Sequence, residues 1–272
     1  MPMSMNKKQC PPVPCEQMPN DKAPGHWLLA RLGKRVLRPG GLDLTRHMIR
    51  SLAITRADHV VEFAPGMGIT ARLTLKASPQ SFTAIEHNED AAQQVEQYLR
   101  GVNQQCIVSS AHETCLPSES ATVVYGEAML SMQPSSRKLE IIKEAARILK
   151  PGGRYAIHEL CLAPANIDPE LQKAIHRDLS EALHVGATPL VKEQWVLLLQ
   201  SAGFKVTEIV TAPMALLEPD RMVSDEGLFR FLKIILRLLK DPSAWKRVSQ
   251  MRSIFHKHKE HLAAVVIIAE KL

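Results

Sequence analysis

Short apolar runs alternate with longer amphipathic segments over most of the chain. The runs have the length and the β-branched content of buried strands and lie at 59–64, 81–86, 105–110, 121–126, 154–160, 204–212 and 261–271. Segments with helical spacing separate them, at 68–77, 88–100, 138–150, 168–185 and 191–202. Strands that alternate with helices in this way form a mostly parallel sheet covered on both faces.

Both ends of the chain depart from this alternation. Residues 26–51 predict two amphipathic helices, split by Arg38-Pro39-Gly40-Gly41, and further helices at 224–240 and 242–258 precede the last strand. We therefore predict an α/β fold with a seven-stranded, mostly parallel, Rossmann-like sheet. A helical cap covers 25–56, and a helical insertion at 213–260 separates strands six and seven. Residues 1–24 predict a disordered or loosely attached arm, which leaves one domain over 25–272.

The composition supports a large aliphatic core and no membrane span. Hydrophobic residues make up 45% of the chain and aromatic residues 4%. No apolar stretch reaches the roughly 20 residues that cross a bilayer, because four basic residues interrupt FRFLKIILRLLK at 229–240. The N-terminus has no apolar signal core, so a cytoplasmic location is expected. Cys10 and Cys15 lack a second pair at zinc-site spacing, and no metal site is predicted.

The net charge of +6 comes mainly from two helical stretches, 31–56 and 230–259. Stacking aromatics and a nucleic-acid reader motif do not accompany these basic residues, which argues against a nucleic-acid partner. Solvated helix faces, an anionic substrate or an acidic partner explain the charge better.

The run DHVVEFAPGMGITA at 58–71 carries the strongest candidate site. Gly66, Gly68 and Ala71 fit the G-x-G-x-x-G/A spacing of a dinucleotide-binding turn. Glu86 ends the second strand, where a carboxylate can bind the hydroxyls of a ribose. Glu62, however, would repel a pyrophosphate and suits a ligand with positive charge, such as a sulfonium nucleoside with an ammonium group.

These residues resemble the class I S-adenosylmethionine-dependent methyltransferases. VVEFAPGMG is similar to their first motif, TAIEHN at 83–88 to the strand with the ribose-binding acid, and 108–130 to the segment that lines the adenine. ARILKPGGRYAIHE at 146–159 resembles the helix, turn and fifth strand of the same fold. The Pro-Gly-Gly turn and the pattern from Trp195 to Phe204 resemble small-molecule enzymes related to quinone-ring and arsenite methyltransferases.

The resemblance implies S-adenosyl-L-methionine as cofactor and a small-molecule methyl acceptor. The cofactor-binding residues that it implies lie after the first four strands: Glu62, Ala64, Pro65, Gly66, Met67, Gly68, Glu86, His87, Ser110, Ala111, His112 and Glu127. Ser110 stands where the family usually has an aspartate that binds the adenine amino group, and His112 or backbone amides could replace it. The segment SEALHVGATPL lacks the cysteine of the arsenite enzymes, which argues against an arsenic substrate.

Methyl transfer from a sulfonium needs alignment of the acceptor more than it needs a base. Glu127, His158 and Glu159 are the candidate catalytic residues, because they end strands four and five. By alternation His158 and Glu159 point to opposite sides of the sheet, so one of them is expected to meet the pocket, with a purely structural hydrogen bond as the alternative.

Trp27 and the cap form a candidate lid, and the helices at 224–258 complete the lid or form a homodimer face. Thiol, oxygen, nitrogen and carbon acceptors remain open, an anionic acceptor among them. An NAD(P)-dependent oxidoreductase and a non-catalytic nucleoside- or nucleic-acid-binding protein remain as alternatives.

Overall fold

The computed structural model describes residues 12–272. The helices are α1 Gly25–Leu32, α2 Gly41–Ser51, α3 Ile69–Thr74, α4 Glu89–Glu96, α5 Ser135–Ile148, α6 Pro169–Leu183, α7 Lys192–Ser201, α8 Pro219–Glu226, α9 Leu228–Lys240 and α10 Pro242–Lys257. The strands are β1 His59–Phe63, β2 Ser81–Glu86, β3 Gln104–Val108, β4 Ala121–Glu127, β5 Leu149–Leu162, β6 Leu190–Val191, β7 Phe204–Pro213 and β8 Leu262–Lys271.

The strands form one sheet in the order β3-β2-β1-β4-β5-β8-β7, and the two-residue β6 pairs with the end of β5. Neighbours from β3 to β5 run parallel, whereas β8 runs antiparallel to both β5 and β7. This confirms the predicted α/β fold with a mostly parallel sheet. The predicted strands are all present. β6 is an additional strand, which the apolar pattern does not indicate because it has only two residues.

The central strands are apolar on both faces because helices cover both faces. Ile142 of α5 and Trp195 of α7 are fully buried in the apolar cluster on one side. Met48 and Leu52, in and just after α2, are fully buried in the cluster on the other side. Strands of a parallel sheet that is covered twice are continuously hydrophobic, which is why the sequence pattern was clear there.

A third apolar cluster joins the N-terminal cap to the helical insertion. Leu28 of α1, Leu179 of α6 and Met251 of α10 are almost completely buried together. The insertion also holds the segment between α1 and α2 by its backbone. Glu226 accepts hydrogen bonds from the amides of Arg35 and Val36 at 2.7 and 2.8 Å. These contacts fix the course of residues 33–41 across the carboxyl ends of the strands.

Two predicted boundaries are corrected by the backbone. The helix expected over 224–240 is two helices, because Gly227, with φ +80° and ψ 154°, separates α8 from α9. The fifth strand begins at Leu149 and includes the Pro-Gly-Gly segment, which was expected to be a turn before a strand at 154. A register shift between Ala121 and Val123 accommodates these extra residues beside β4.

Residues 12–24 are attached to the domain, which corrects that part of the predicted loose arm. The Arg31 guanidinium donates to the carbonyls of Cys15 and Met18 at 2.7 and 2.6 Å. Asn20 donates to the Asp241 carboxylate at 2.7 Å, and Ala23 is fully buried. Residues 1–11, with Cys10, lie outside the described residues. Across residues 12–272 no helix combines the length and apolarity needed to span a bilayer.

Candidate functional site

A cavity of about 520 Å³ lies at the carboxyl ends of β1 to β4, beneath the cap. Its size is within the range of ligand pockets, and this end of an open parallel sheet is the place where such folds bind ligands. The strand ends contribute one wall: Glu62, Ala64, Pro65, Gly66, Met67, Glu86, His87, Ser109, Ser110, Ala111, His112, Glu127, Ala128 and Met129. The cap and α5 contribute the facing wall, which includes His26, Trp27, Arg35, Leu37, Arg38 and Arg137.

The loop after β1 brings backbone close to the cavity. Gly66 has φ +54°, and a Cβ added to it would meet nothing within 4 Å on the protein side, so its surface is open to a ligand. Gly68 has φ +69°, and a Cβ there would approach the Tyr98 ring to 2.8 Å. The two glycines therefore differ in purpose, because Gly66 leaves space in the cavity whereas Gly68 allows α3 to pack on α4. Gly68 is the one residue of the implied first-motif set that does not line the cavity.

Glu86 connects this loop to the end of β2. Its carboxylate accepts hydrogen bonds from the amides of Gly66 and Asn88, both at 3.0 Å, and the residue is 5% exposed. Burial raises the pKa of Glu86, while the three backbone hydrogen bonds to its carboxylate lower it. A carboxylate held in this way at the cavity wall has remaining lone pairs with which to accept ligand hydroxyl hydrogens.

Glu62 presents a second carboxyl group to the cavity from β1. The Tyr125 hydroxyl donates to it at 2.9 Å, and the residue is 3% exposed. Burial raises the pKa of Glu62 to about 8, because little of its charge is compensated in the protein. A cationic ligand group beside Glu62 would favour the ionised form.

Glu127, at the end of β4, is the acceptor of a buried polar cluster. Thr45 and Thr70 donate to it at 2.7 and 2.6 Å, His158 at 2.8 Å, and Arg38 completes the set. Burial alone would raise the pKa of Glu127, but the Arg38 guanidinium and His158 outweigh burial and hold the pKa at about 2. The cluster fastens the cap to strands β4 and β5.

His158 and Glu159 do not line the cavity, which corrects the expectation that one of them meets the pocket. His158 is fully buried, and its second ring nitrogen faces the carbonyl of Pro39 at 2.6 Å. Because both ring nitrogens already face acceptors of the protein, neither is free to contact a substrate. Alternation does point the two side chains to opposite faces, but the cap fills the space on the His158 side.

Glu159 organises the loop after β4. Its carboxylate accepts hydrogen bonds from the amides of Met129, Leu130 and Ser131 at 2.8–3.0 Å and from the Ser131 hydroxyl at 2.6 Å. Burial raises the pKa of Glu159, and the residue is fully buried. It shapes the part of the cavity wall that carries Met129, so its role is positioning rather than contact with a ligand.

The segment after β3 lies where the sequence places it. Ser110, Ala111 and His112 line the cavity, and the Ser110 hydroxyl is paired with Nδ1 of His112. Ser110 and His112 therefore meet the cavity as a hydrogen-bonded pair.

The functional residues that sequence reasoning missed come mostly from the cap. Arg38 was noted only as part of a helix-breaking segment, although an arginine between two amphipathic helices, in a chain with a strand-end acid, was an available signal. Arg35 and His26 gave no such signal. Burial lowers the pKa of His26 to about 4, so this ring at the cavity wall is neutral at physiological pH. Trp27, the predicted lid residue, does line the cavity.

A metal centre finds no support in residues 12–272, where no group of three or more His, Cys, Asp or Glu side chains is arranged to hold an ion. In the HKHKEH segment, His258 is buried against Asp178 at 2.8 Å, and Lys257 pairs with the same carboxylate at 2.6 Å.

Known proteins resemble this chain in both sequence and structure. The family described as Methyltransferase domain matches residues 60–153. A Haemophilus influenzae protein of uncharacterized function is 33% identical over 247 residues, which are 89% of this chain and 96% of that protein. The demethylmenaquinone methyltransferase of Chlamydia muridarum is 31% identical over 134 residues, covering 47% of this chain and 56% of that enzyme.

A solved structure shares the fold at low sequence identity. It is the phosphoethanolamine N-methyltransferase 2 of Haemonchus contortus, in complex with phosphomonomethylethanolamine and S-adenosylhomocysteine. It has a TM-score of 0.69 and 14% identity, and the match covers 90% of this chain and 58% of that one. The matched segment at 60–153 contains the glycine loop, Glu86 and Glu127, the residues that build the strand-end wall of the cavity. The chain belongs to the class I S-adenosylmethionine-dependent methyltransferases.

Proposed function

We propose that the cavity binds S-adenosyl-L-methionine and a small-molecule acceptor side by side, and that the protein aligns the two for in-line methyl displacement. The observation that carries the proposal is the open face of Gly66 between two buried acids, Glu62 and Glu86. The open backbone accommodates the amino-acid portion of the cofactor, which a Cβ would block. S-adenosyl-L-methionine, when bound, supplies a methyl group that its sulfonium has already activated.

Each strand-end residue has a proposed role toward that ligand. Glu86 would accept hydrogen bonds from the ribose hydroxyls, and Glu62 would compensate the ammonium group. Ser110, Ala111 and His112 would lie along the adenine, with His87 beside them. Glu127 is occupied by Arg38, His158 and the two threonines, so its proposed role is to hold the cap over the cavity.

The cap wall supports an anionic acceptor with an apolar body. Arg35 and Arg137 line the cavity with side chains that are 37% and 38% exposed. Their carboxylate partners, Glu226 at 3.6 Å and Glu140 at 2.8 Å, do not line it. Arg38 is neutralised by Glu127. The facing wall therefore presents two partly exposed guanidinium groups that an acceptor carboxylate or phosphate can meet.

An adjoining apolar cavity of about 50 Å³ supports the apolar part of this acceptor. His26, Leu37, Ala128 and Met132 line both cavities and so mark where they meet. The small cavity is otherwise lined mainly by leucine, methionine and phenylalanine side chains, which favour an apolar group over a second charge.

His26 is the side chain that we propose to receive the acceptor's hydrogen bond. Because burial keeps its pKa at about 4, the neutral ring has a lone pair with which to accept. Such a weak base suits a thiol or another acceptor that loses its proton readily, and alignment would supply most of the rate.

Calorimetric titration tests the cofactor site. S-adenosylhomocysteine should bind, and Glu86→Ala should weaken its binding by about 1–3 kcal/mol through the loss of hydrogen bonds to a charged group. Glu89→Ala, which removes an exposed acid three residues away, is the matched control. Glu62 should repel the pyrophosphate of NAD(P), so NAD(P) is not expected to bind. Binding of NAD(P) in place of S-adenosylhomocysteine would overturn this proposal in favour of the oxidoreductase.

The acceptor class is tested by S-adenosylhomocysteine release in a screen of anionic acceptors and their neutral amides. Arg137→Gln should raise KM for the anionic acceptor and leave KM for its amide unchanged. Arg177→Gln, on the exposed face of α6, should change neither. Equal use of both acceptor forms would contradict the anionic class. A cytoplasmic location and a homodimer stay predictions from the sequence.

A further inference from the structure

Helix α9 carries an exposed apolar stripe that the domain does not cover. At about 100° per residue, the stripe occupies an arc of about 100° around the helix. Its members are Leu228, Phe229, Leu232, Leu236 and Leu239, with exposures of 56%, 90%, 48%, 58% and 64%. Trp245, in the first turn of the following helix α10, is 49% exposed. Large exposed apolar patches mark interaction surfaces rather than ordinary surface.

The same helix packs on the domain through a different stripe. Ile234 and Leu238 are buried in the cluster beneath the cap, at exposures of 1% and 5%. The exposed stripe is therefore additional to the face that folding uses. Basic residues interrupt FRFLKIILRLLK, which excludes it as a membrane span. Packing on the domain explains only part of its apolar content.

The surroundings of the stripe are strongly basic. On α9 the cations fill the neighbouring arc, of about 80°, and they are Arg230, Lys233, Arg237 and Lys240. Residues 228–259 contain nine lysines and arginines and one acid, Asp241, for a net charge of +8. Since the whole chain carries +6, the remainder of the chain carries a net −2. The excess charge of the protein is concentrated in the segment that contains this stripe.

We propose that the exposed face of α9, with Trp245, docks on an anionic lipid bilayer surface. A helix with leucine and phenylalanine on one side and lysine and arginine beside it lies in the plane of the interface, with the apolar side chains below the headgroups. Lys233 and Lys240 of the basic arc, both exposed, then reach anionic headgroups, whose attraction acts on each lysine or arginine near the surface.

The charge distribution favours this occupant over a second copy of the chain. A two-fold dimer through α9 would place one +8 segment against another. Like charges at such a contact repel, and acids outside the segment offset only part of them, because Glu226, Glu218 and Asp178 pair with Arg230, Arg252 and Lys257. The homodimer face considered for 224–258 is therefore the less favourable use of this surface.

The docked helix would bring the cavity to the bilayer. Arg230 and Arg237 donate to the carbonyls of Gly33 and Arg31 at 3.5 and 3.3 Å, which attaches α9 to the segment that carries Arg35. The surface proposal is independent of methyl transfer, and its test needs no activity.

Vesicle co-sedimentation tests the proposal with the full chain. We expect binding to vesicles of phosphatidylcholine with 30% phosphatidylglycerol (about a third anionic lipid) and much weaker binding to pure phosphatidylcholine. Leu236→Gln with Leu239→Gln should weaken binding to the anionic vesicles by roughly tenfold or more, because two apolar side chains no longer enter the interface. Glutamine preserves helix propensity, so the fold is retained. Leu197→Gln, which changes a leucine that is 63% exposed on α7, is the matched control.

A charge variant keeps the test informative if the leucine variant folds poorly. Lys233→Gln with Lys240→Gln should also weaken anionic binding by roughly tenfold or more, whereas Lys143→Gln, on α5, should not. Equal binding to neutral and anionic vesicles, or no binding, overturns the proposal. A dimer that the leucine variant dissociates would overturn it in favour of a second copy.

Discussion

The two walls of the cavity are built in different ways. In the strand-end wall, Glu86 holds Gly66 across 20 positions of sequence, and the residues fall within recognisable motifs. In the cap wall, Arg38 reaches Glu127 across 89 positions and His158 reaches Pro39 across 119. The first wall is a property of individual strand ends, whereas the second exists only when the cap is docked on the completed sheet.

The difference has an energetic counterpart. The strand-end wall leaves Glu62 with little compensation of charge, so part of its electrostatic complement must come from a ligand. Where Arg38 meets the sheet, by contrast, the charges are compensated within the protein, because Arg38, His158 and both threonines converge on Glu127. We therefore expect substitutions at Gly66 and Glu62 to change mainly ligand binding, and substitutions in the Glu127 cluster to change mainly stability.

The largest effect is expected from Glu127→Ala. It leaves Arg38 and His158 buried without their acceptor, which should lower the free energy of unfolding by about 3–5 kcal/mol. Urea denaturation followed by circular dichroism measures the change. Asp43→Ala is the control, because that carboxylate is 63% exposed while pairing with Arg46 and Arg221, and its loss should have little effect. An unchanged urea midpoint for Glu127→Ala would show that the cluster does not hold the cap.

Gly66→Val should produce the opposite profile, with lost binding and a modest loss of stability. The new side chain would enter the cavity, and we expect affinity for S-adenosylhomocysteine to fall by roughly a hundredfold or more, since it fills ligand space rather than removing one contact. Gly203→Val carries similar backbone strain, because Gly203 has φ +88° and open space around its Cβ position. If both variants bind ligand as the wild type does, the loop is not part of the site.

The same comparison explains which parts could be predicted from sequence. Strands β1 and β2 and the loop after β1 follow from apolar runs, glycines and acids that are near neighbours in sequence. Glu159 and His158 could be located at the end of β5, but not assigned, because their partners come from the loop after β4 and from Pro39. Arg38 has a weak signal, as an arginine between two amphipathic helices, but nothing local to it indicates that Glu127 is its partner.

A smaller effect, on pH dependence, sharpens the claim about Glu62. Its pKa of about 8 in the free protein means that the carboxyl is mostly protonated at pH 7. A ligand ammonium favours the ionised form, so binding should release nearly one proton, and affinity should rise between pH 6 and 7.5 by up to about tenfold per pH unit. Calorimetry in buffers of different ionisation enthalpy counts the proton.

Glu62→Gln separates this residue from other titrating groups. The variant should bind more weakly at pH 7.5 and should release no proton. The raised pKa also predicts that unfolding stability falls as pH rises from about 4.5 to about 8, because the unfolded chain loses this proton first. Proton release that persists in Glu62→Gln would assign it to another group.

The smallest effect concerns strain in the strand-end wall. Ala64 has φ +50° directly after β1, a conformation that glycine adopts more easily than alanine. Ala64→Gly should therefore raise the free energy of unfolding by about 0.5–1 kcal/mol. The greater conformational entropy that glycine gives the unfolded chain reduces this gain. Ala71→Gly, inside α3, should instead lower it by a similar amount, because the helix favours alanine. Thermal denaturation of the pair measures both signs. If Ala64→Gly destabilises the protein as Ala71→Gly does, the backbone at Ala64 is not strained.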